Sequence, residues 1–231
     1  MSRSALTIVI PTLDAAGNLC ATLAALREGL AGILDVQEIL VVDGGSRDAT
    51  VELARESGAR AIAAPRGRGL QLAAGAAAAR GDWLLFLHAD TRLDPGWQHA
   101  VAAFIAAPAN RARAAAFAFA LDDPAPQARR LERLVAWRCR VLGLPYGDQG
   151  LLIARALYDR LGGYRAVPIM EDVDLVRRIG QRNIAILPVR AVTSAERWRR
   201  NGWLRRSARN LACLSLHFLG VPPRLIARLY G

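Results

Sequence analysis

Three short apolar runs, each leading within a few residues to an aspartate, constrain this chain more than anything else in it. They are Leu6–Ile10 (LTIVI), Glu38–Val42 (EILVV) and Trp83–Leu87 (WLLFL). Runs this short and this continuous suit strands buried on both faces, as in a parallel sheet, better than alternating half-buried strands. Helical patterns lie between them, from about Gly17 to Leu30, up to Ser57, and over the alanine-rich Leu70–Ala79. Asp48 or Thr50 is placed to cap the second helix. Ala59–Ala64 reads as a weaker strand. Strands alternating with helices predict βαβ units and an α/β fold with a mainly parallel sheet flanked by helices. Such sheets bind ligands beyond the carboxyl ends of their strands. Those ends are polar here: Thr12 and Asp14, then Asp43, then His88 and Asp90.

The second half is less regular. Asp94-Pro95 reads as an N-cap followed by proline at the first helical position. Ala114–Leu121 suits a strand, and Pro126–Leu142 an amphipathic helix. Gly147-Asp148-Gln149-Gly150 is a turn before the strand Leu151–Ala154, and Glu171–Ile179 reads as a helix opening on acids at its positive end. At 231 residues, one large domain is expected. It divides softly into a nucleotide-binding half (1–90), an acceptor half (91–195) and a basic helical extension (196–231).

The formal charge is +11, and all 31 Lys+Arg residues are arginine. Arginine beside so much alanine, glycine and proline reflects a base-composition bias in part. The remainder suits an anionic partner such as a nucleotide diphosphate or a phospholipid surface. Basic patches interleaved with aromatics, the signature of single-stranded nucleic-acid binders, are missing, so no nucleic acid is expected. Cys20, Cys139 and Cys213 form no CxxC pair or ligand cluster and read as isolated thiols. No stretch reaches the ~20 apolar residues of a membrane span, and no apolar signal region opens the chain. A cytoplasmic protein is therefore expected, with attachment to the inner face of the cell membrane as an option.

In order, the chain carries IVIPTLDAAGNL, VVDGGSRDAT, LLFLHADT, GDQG, GGY and MEDVDLVRRI. This series resembles the family 2 glycosyltransferases over nearly the whole length. It looks most like a bacterial subgroup with HADT in place of the usual DAD or DDD, associated with radical-SAM and arsenosugar gene neighbourhoods. The resemblance implies a GT-A (Rossmann-like) fold. It also implies inverting, metal-dependent transfer of a sugar from a nucleotide diphosphate sugar to a small-molecule or lipid acceptor. Pro11, Thr12, Asp14, Asp43, Arg68 and His88 would then contact the nucleotide. Asp90 would hold Mn2+ or Mg2+, and Asp148, Gln149 and Glu171 would lie near the donor sugar or acceptor. Asp172 would be the catalytic base. His88 replaces the first acid of the metal pair, which puts two-carboxylate binding in doubt. Each residue also has a plainer reading. Asp43 suits an Asx-turn, Asp172 and Asp174 suit the helix dipole, and Arg66 suits a solvated surface.

From Glu196 onward, Arg197-Trp198 loosely echoes an RRW element of processive relatives. The glutamine that usually precedes it is missing, and processivity is not expected. Leu204, Leu211, Leu214 and Phe218 follow at helical spacing. This helix either packs on the core, the preferred reading, or lies on an anionic membrane. Two other functions remain open on sequence alone. A nucleotidyltransferase of similar fold would carry a glycine-rich loop after strand one, where this chain has PTLDAAGNL. A non-catalytic nucleotide-binding module is the other.

Overall fold

The computed structural model describes residues 5–28 and 34–230. Leu30, expected to end the first helix, lies outside them. The elements are β1 (Leu6–Thr12), α1 (Ala16–Glu28), β2 (Val36–Asp43), α2 (Thr50–Glu56), β3 (Arg60–Ala63), α3 (Arg68–Ala78), β4 (Trp83–Phe86), β5 (Thr91–Leu93), α4 (Trp97–Ala106) and β6 (Ala114–Leu121). They continue with α5 (Pro126–Leu142), β7 (Leu151–Ala154), α6 (Arg155–Arg160), α7 (Glu171–Ile179), β8 (Ile184–Thr193), α8 (Glu196–Asn201), α9 (Trp203–Phe218) and α10 (Pro223–Tyr230).

One eight-stranded sheet has the order β3-β2-β1-β4-β7-β6-β8-β5. Its first four strands are parallel, as their apolar runs predict. All seven residues of β1 are buried. Helix α3 lies so close to β1 and β2 that a Cβ on Gly75 would sit 2.3 Å from Val9 Cγ1 and 2.9 Å from Val42 Cγ2. This close approach explains a glycine in a helix interior, where it ordinarily costs about 1 kcal/mol relative to alanine.

The strand directions decide which loops meet. In register, Thr12 of β1 faces Asp43 of β2, and Val9 faces Phe86 of β4, so the first three polar exits share one edge. Strand β7 runs antiparallel to β4, with Leu151 opposite Phe86. The turn that precedes β7 is therefore delivered to the end where β4 stops, which brings Asp148 beside His88 and Asp90. Strand β8 runs parallel to β6 and antiparallel to β5. Thr193 faces Thr91 across the last pair, their hydroxyls 2.8 Å apart. Ser194 and Arg197 thus emerge at the same edge.

Strands β5 and β8 are not foreseen in the sequence. Pro188 interrupts β8, and the register against β6 jumps there, from Phe117↔Leu187 to Ala118↔Arg190. Proline has no N–H for the ladder and is accommodated by the irregularity. Asp94 and Pro95 do not start α4 as expected. Gly96, at φ 91°, turns the chain and the helix begins at Trp97. The Asp94 carboxylate instead pairs with Arg190 at 2.6 Å. The C-terminal helix is three helices, broken at Gly202 and Gly220, both with positive φ.

Candidate active site

Two adjoining cavities open along the polar edge. An outer groove of about 540 Å³ is lined by Pro11, Thr12 and Asp14 after β1, by Arg66 and Gly67 before α3, and by Gln71 within it. An inner chamber of about 120 Å³ is lined by Asp148, Asp172 and Tyr146, with Arg206, Asn210 and Tyr230 from α9 and α10. Arg68, His88, Asp90, Ser194 and Arg197 line both and form the passage between them.

The outer groove is built by loops that tie one another down. Asp14, at φ 49°, accepts the Arg47 N–H at 2.8 Å, while its own N–H donates to Ser46 Oγ at 2.8 Å. Asp43 is buried, and its carboxylate accepts N–H bonds from Gly45 and Ser46, both at 2.8 Å, and hydroxyl bonds from Ser46 and Thr12. Burial works to raise its pKa, but these donors prevail and hold it below the ordinary carboxylate value. The Asx-turn role is thus visible directly, and Asp43 does not line the groove. Asp48 accepts the N–H and hydroxyl of Thr50, and also the Ala16 N–H at 3.1 Å, so it ties the start of α1 to α2. Gln71, overlooked in the sequence, is buried and donates from Nε2 to Thr12 O at 2.7 Å and Val42 O at 2.9 Å. It braces the two strand exits from beneath. A polar residue on the otherwise apolar inner face of an alanine-rich helix was the available signal.

Arg68 occupies the first position of α3, and its guanidinium pairs with Glu171. Glu171 is 1% exposed and lines neither the groove nor the chamber. Its expected place at the sugar is therefore not what the structure displays; it anchors Arg68 from below. Gln149 likewise lines neither. Fully buried, it donates to Phe117 O at 2.9 Å and accepts weakly from Arg138, Cys139 and the Tyr146 N–H. It holds the turn that presents Asp148.

Asp172 faces the chamber. Its Oδ2 accepts the Gly147 N–H and its Oδ1 the Val173 N–H, both at 2.8 Å. A Cβ on Gly147 would lie 2.6 Å from His88 Nε2 and 3.4 Å from Asp172 Oδ2, so any side chain there would intrude between them. Asp174 turns away and pairs with Arg165 and Arg178, as the helix-dipole reading allows. Burial is the main cause that raises Asp148 to about 6, with Asp172 and Asp90 adding to it against Arg138. Its Oδ1 is buried without a hydrogen-bond partner. Burial, followed by the charge of Arg68, pushes His88 down to about 4, so its imidazole is neutral near pH 7.

The described residues contain no group of three or more His, Cys, Asp or Glu side chains placed to hold a metal. Asp90 nevertheless fits a shared site. It stands in the passage, where its carboxylate offers a hard oxygen ligand, and the neighbouring imidazole is neutral. Such a site needs further oxygens from a bound diphosphate, so the residues suit Mn2+ or Mg2+ carried in with a nucleotide.

A parallel four-stranded half sheet whose carboxyl edge opens into a groove, joined to a carboxylate-bearing chamber, defines a GT-A glycosyltransferase. Residues 7–160 match the model of glycosyl transferase family 2, and the chain belongs to that family. No curated protein sequence matches it. Among solved structures, glucosyl-3-phosphoglycerate synthase from Mycobacterium tuberculosis, in complex with Mn2+, UDP and glucosyl-3-phosphoglycerate, has a TM-score of 0.64 at 20% identity, over 95% of this chain and 81% of that one. A mannosyltransferase from Pyrobaculum calidifontis, in complex with GDP-Man and Mn2+, has a TM-score of 0.67 at 21% identity, over 91% of this chain and 63% of that one. Mannosyl-3-phosphoglycerate synthase from Rubrobacter xylanophilus has a TM-score of 0.62 at 19% identity, over 94% and 75%. At these identities the likeness is one of fold.

Proposed function

We propose that this glycosyltransferase moves a sugar, with inversion, from a nucleotide diphosphate sugar in the outer groove to an acceptor in the inner chamber. The observation that carries the proposal is the shared passage: Arg68, His88 and Asp90 border both cavities, where a diphosphate and its sugar would lie between nucleotide and acceptor. The UDP, GDP-Man and Mn2+ complexes of the similar folds support a nucleotide-sugar donor and a divalent cation.

Pro11, Thr12 and Asp14 would border the nucleotide, with Asp43 fixing the loop beside it. Arg68 at the α3 N-terminus would take a phosphate, aimed by Glu171. Asp90, with His88 adjacent, would hold the divalent cation, which would neutralise the departing diphosphate. Asp172 is the proposed base. Its two backbone hydrogen bonds fix the carboxylate and leave lone pairs for an acceptor hydroxyl. The hydroxyl proton passes to Asp172 as the acceptor oxygen bonds to the anomeric carbon. The bond to the diphosphate breaks on the opposite face, its electron pair leaving with the phosphate oxygen. Inversion follows from that in-line geometry. The HADT sequence motivates placing the chain with the radical-SAM and arsenosugar-associated subgroup.

The test is turnover with UDP- and GDP-sugars for the wild type, Asp172→Asn and Asp148→Asn. Asp172→Asn should lose 10²–10⁴-fold in rate while binding nucleotide normally. Near-normal turnover in Asp172→Asn together with a collapse in Asp148→Asn would move the role of base to Asp148.

A second reading concerns location. Among the described residues no helix is long and apolar enough to cross a membrane. The outer face of α9 nonetheless presents Leu204, Leu211 and Phe218 at seven-residue intervals, with Leu204 88% exposed. On α10, Leu225 and Leu229 are exposed, each directly following an arginine, Arg224 and Arg228. An apolar face edged by arginine supports peripheral attachment to an anionic membrane.

A further inference from the structure

Among the described residues, the inner face of α9 carries positive charge with no carboxylate partner. Arg206 is 9% exposed, and its Nε is buried without a hydrogen bond. One turn further on, Asn210 Oδ1 is also buried and unmatched, and both residues line the inner chamber. Arg197 lines it too. Among the described residues no carboxylate pairs with Arg197, Arg206 or Arg209, whereas Arg68, Arg129, Arg178 and Arg190 each have one. A buried cation is costly unless paired. Here burial, Arg197 and Arg209 all work to lower the pKa of Arg206, with Tyr230 and Asp148 opposing them.

Two of these guanidiniums lie over aromatic rings. Arg206 Cζ lies 5.1 Å from the Trp198 ring centroid, and Arg209 Cζ lies 5.1 Å from that of Tyr230. Stacking occupies the flat face of a guanidinium and leaves its in-plane N–H fork free, the geometry that matches an oxyanion. Trp198 is itself stacked on Trp203, with centroids 5.8 Å apart, so the platform is rigid. The donor diphosphate does not account for this feature, because Arg206, Asn210 and Tyr230 line the chamber and not the groove.

We propose that the acceptor carries a phosphate group, and that Arg206, with Arg197 and Asn210, binds it on the roof of the inner chamber. This rests on the proposed function and assigns the acceptor class. The phosphate would hold the acceptor by its anionic end, while its hydroxyl reaches Asp172 across the chamber.

The test is calorimetric titration of inorganic phosphate into protein saturated with UDP and Mn2+, for the wild type, Arg206→Met, Arg206→Lys and Arg224→Met. Loss of a charge-assisted fork should weaken phosphate at least about tenfold in Arg206→Met. Arg206→Lys should recover part of this, and the exposed control Arg224→Met none of the loss. UDP affinity should be the same in all four. Equal binding by wild type and Arg206→Met both to inorganic phosphate and to the vesicles below, or abolition of phosphate binding by UDP in the wild type, would overturn the proposal. If Arg206→Met fails to fold by its melting profile, the Arg206→Lys comparison decides alone. A wild type that does not bind UDP but still binds phosphate through Arg206 would sink the donor reading and leave the anion site standing. A second arm uses phosphatidylcholine vesicles with and without phosphatidic acid. Binding that depends on Arg206 in either arm supports the site and tells a soluble from a lipid phosphate; dependence in neither refutes it.

Discussion

Replacing Asp148 by asparagine should make the protein more stable while impairing its site. Asp148 is half-buried, its Oδ1 is buried without a hydrogen-bond donor, and Asp172 and Asp90 repel its charge. Its pKa stands at about 6 in the folded chain, against an ordinary 3.8. The folded state therefore holds this proton more tightly than the unfolded one. Whatever stability that proton supplies is fully present below pH 3.8 and is lost as pH rises through 6. Above that, the ionised group costs the fold up to about 3 kcal/mol. Asp148→Asn keeps the shape and removes the charge. It should gain roughly 1 to 3 kcal/mol at pH 7.5, the lower figure applying if the new amide leaves a donor unmet. At pH 4 the gain should almost vanish, because the wild-type carboxyl is then largely protonated. Urea unfolding of both proteins at the two pH values, with EDTA present, measures this. A variant no more stable than wild type at pH 7.5 would refute the reasoning. So would an equal gain at both values, which would assign the effect to packing.

Metal and nucleotide should bind together. Mn2+ alone should bind weakly and UDP should tighten it, whereas Asp90→Asn should abolish the coupling, as titration of each ligand with and without the other will reveal. Gly75→Ala should cost about 1–3 kcal/mol in urea unfolding, because the added methyl meets Val9 and Val42 in a packed interface. Full stability in that variant would contradict the close approach of α3. Flotation with anionic liposomes should carry part of the protein into the lipid fraction at low salt and less at high salt, each arginine near the surface adding ~1 kcal/mol. Replacing Leu211 and Phe218 by glutamine should remove that fraction at either salt.

The parts of the fold that could be read from sequence were those where one physical signal dominated. The strands β1, β2 and β4 carry short continuous apolar runs because both faces are covered there. Strand β8 hid because Pro188 interrupts it and Arg190 leaves it to pair with Asp94. At Asp94-Pro95 local propensity pointed to a helix start, but the left-handed Gly96 and the distant Arg190 prevailed. The same division holds for the site. The strand exits at Thr12, Asp14, His88 and Asp90 announce themselves by ending apolar runs. Glu171 and Asp172 are adjacent in sequence, yet they diverge, one beneath Arg68 and one into the chamber, because consecutive helical residues point about 100° apart. Gln149 resembled a ligand contact only because its brace partner, Phe117, is 32 positions away. Arg206 and Asn210 share the inner face of α9 with Cys213, a pattern that a helical wheel displays once the facing cavity is known.

The pairing of Thr91 with Thr193 marks a seam between two parts of the molecule. On one side lies the groove, built mainly from the strand exits of the first half and closed by residues 194–200. On the other lie α8 to α10, which roof the inner chamber and follow directly on the end of β8. Their remaining ties among the described residues are few and local: the Arg199–Asp123 ion pair, Trp198 against Leu121 and Ala128, and Cys213 and Ile226 against Ile169. Replacing 196–230 by the corresponding stretch of another family 2 enzyme would alter the roof and leave the strand exits intact. In evolutionary terms, such a seam lets one sugar-donating engine acquire new recipients by changing little more than its last thirty-odd residues.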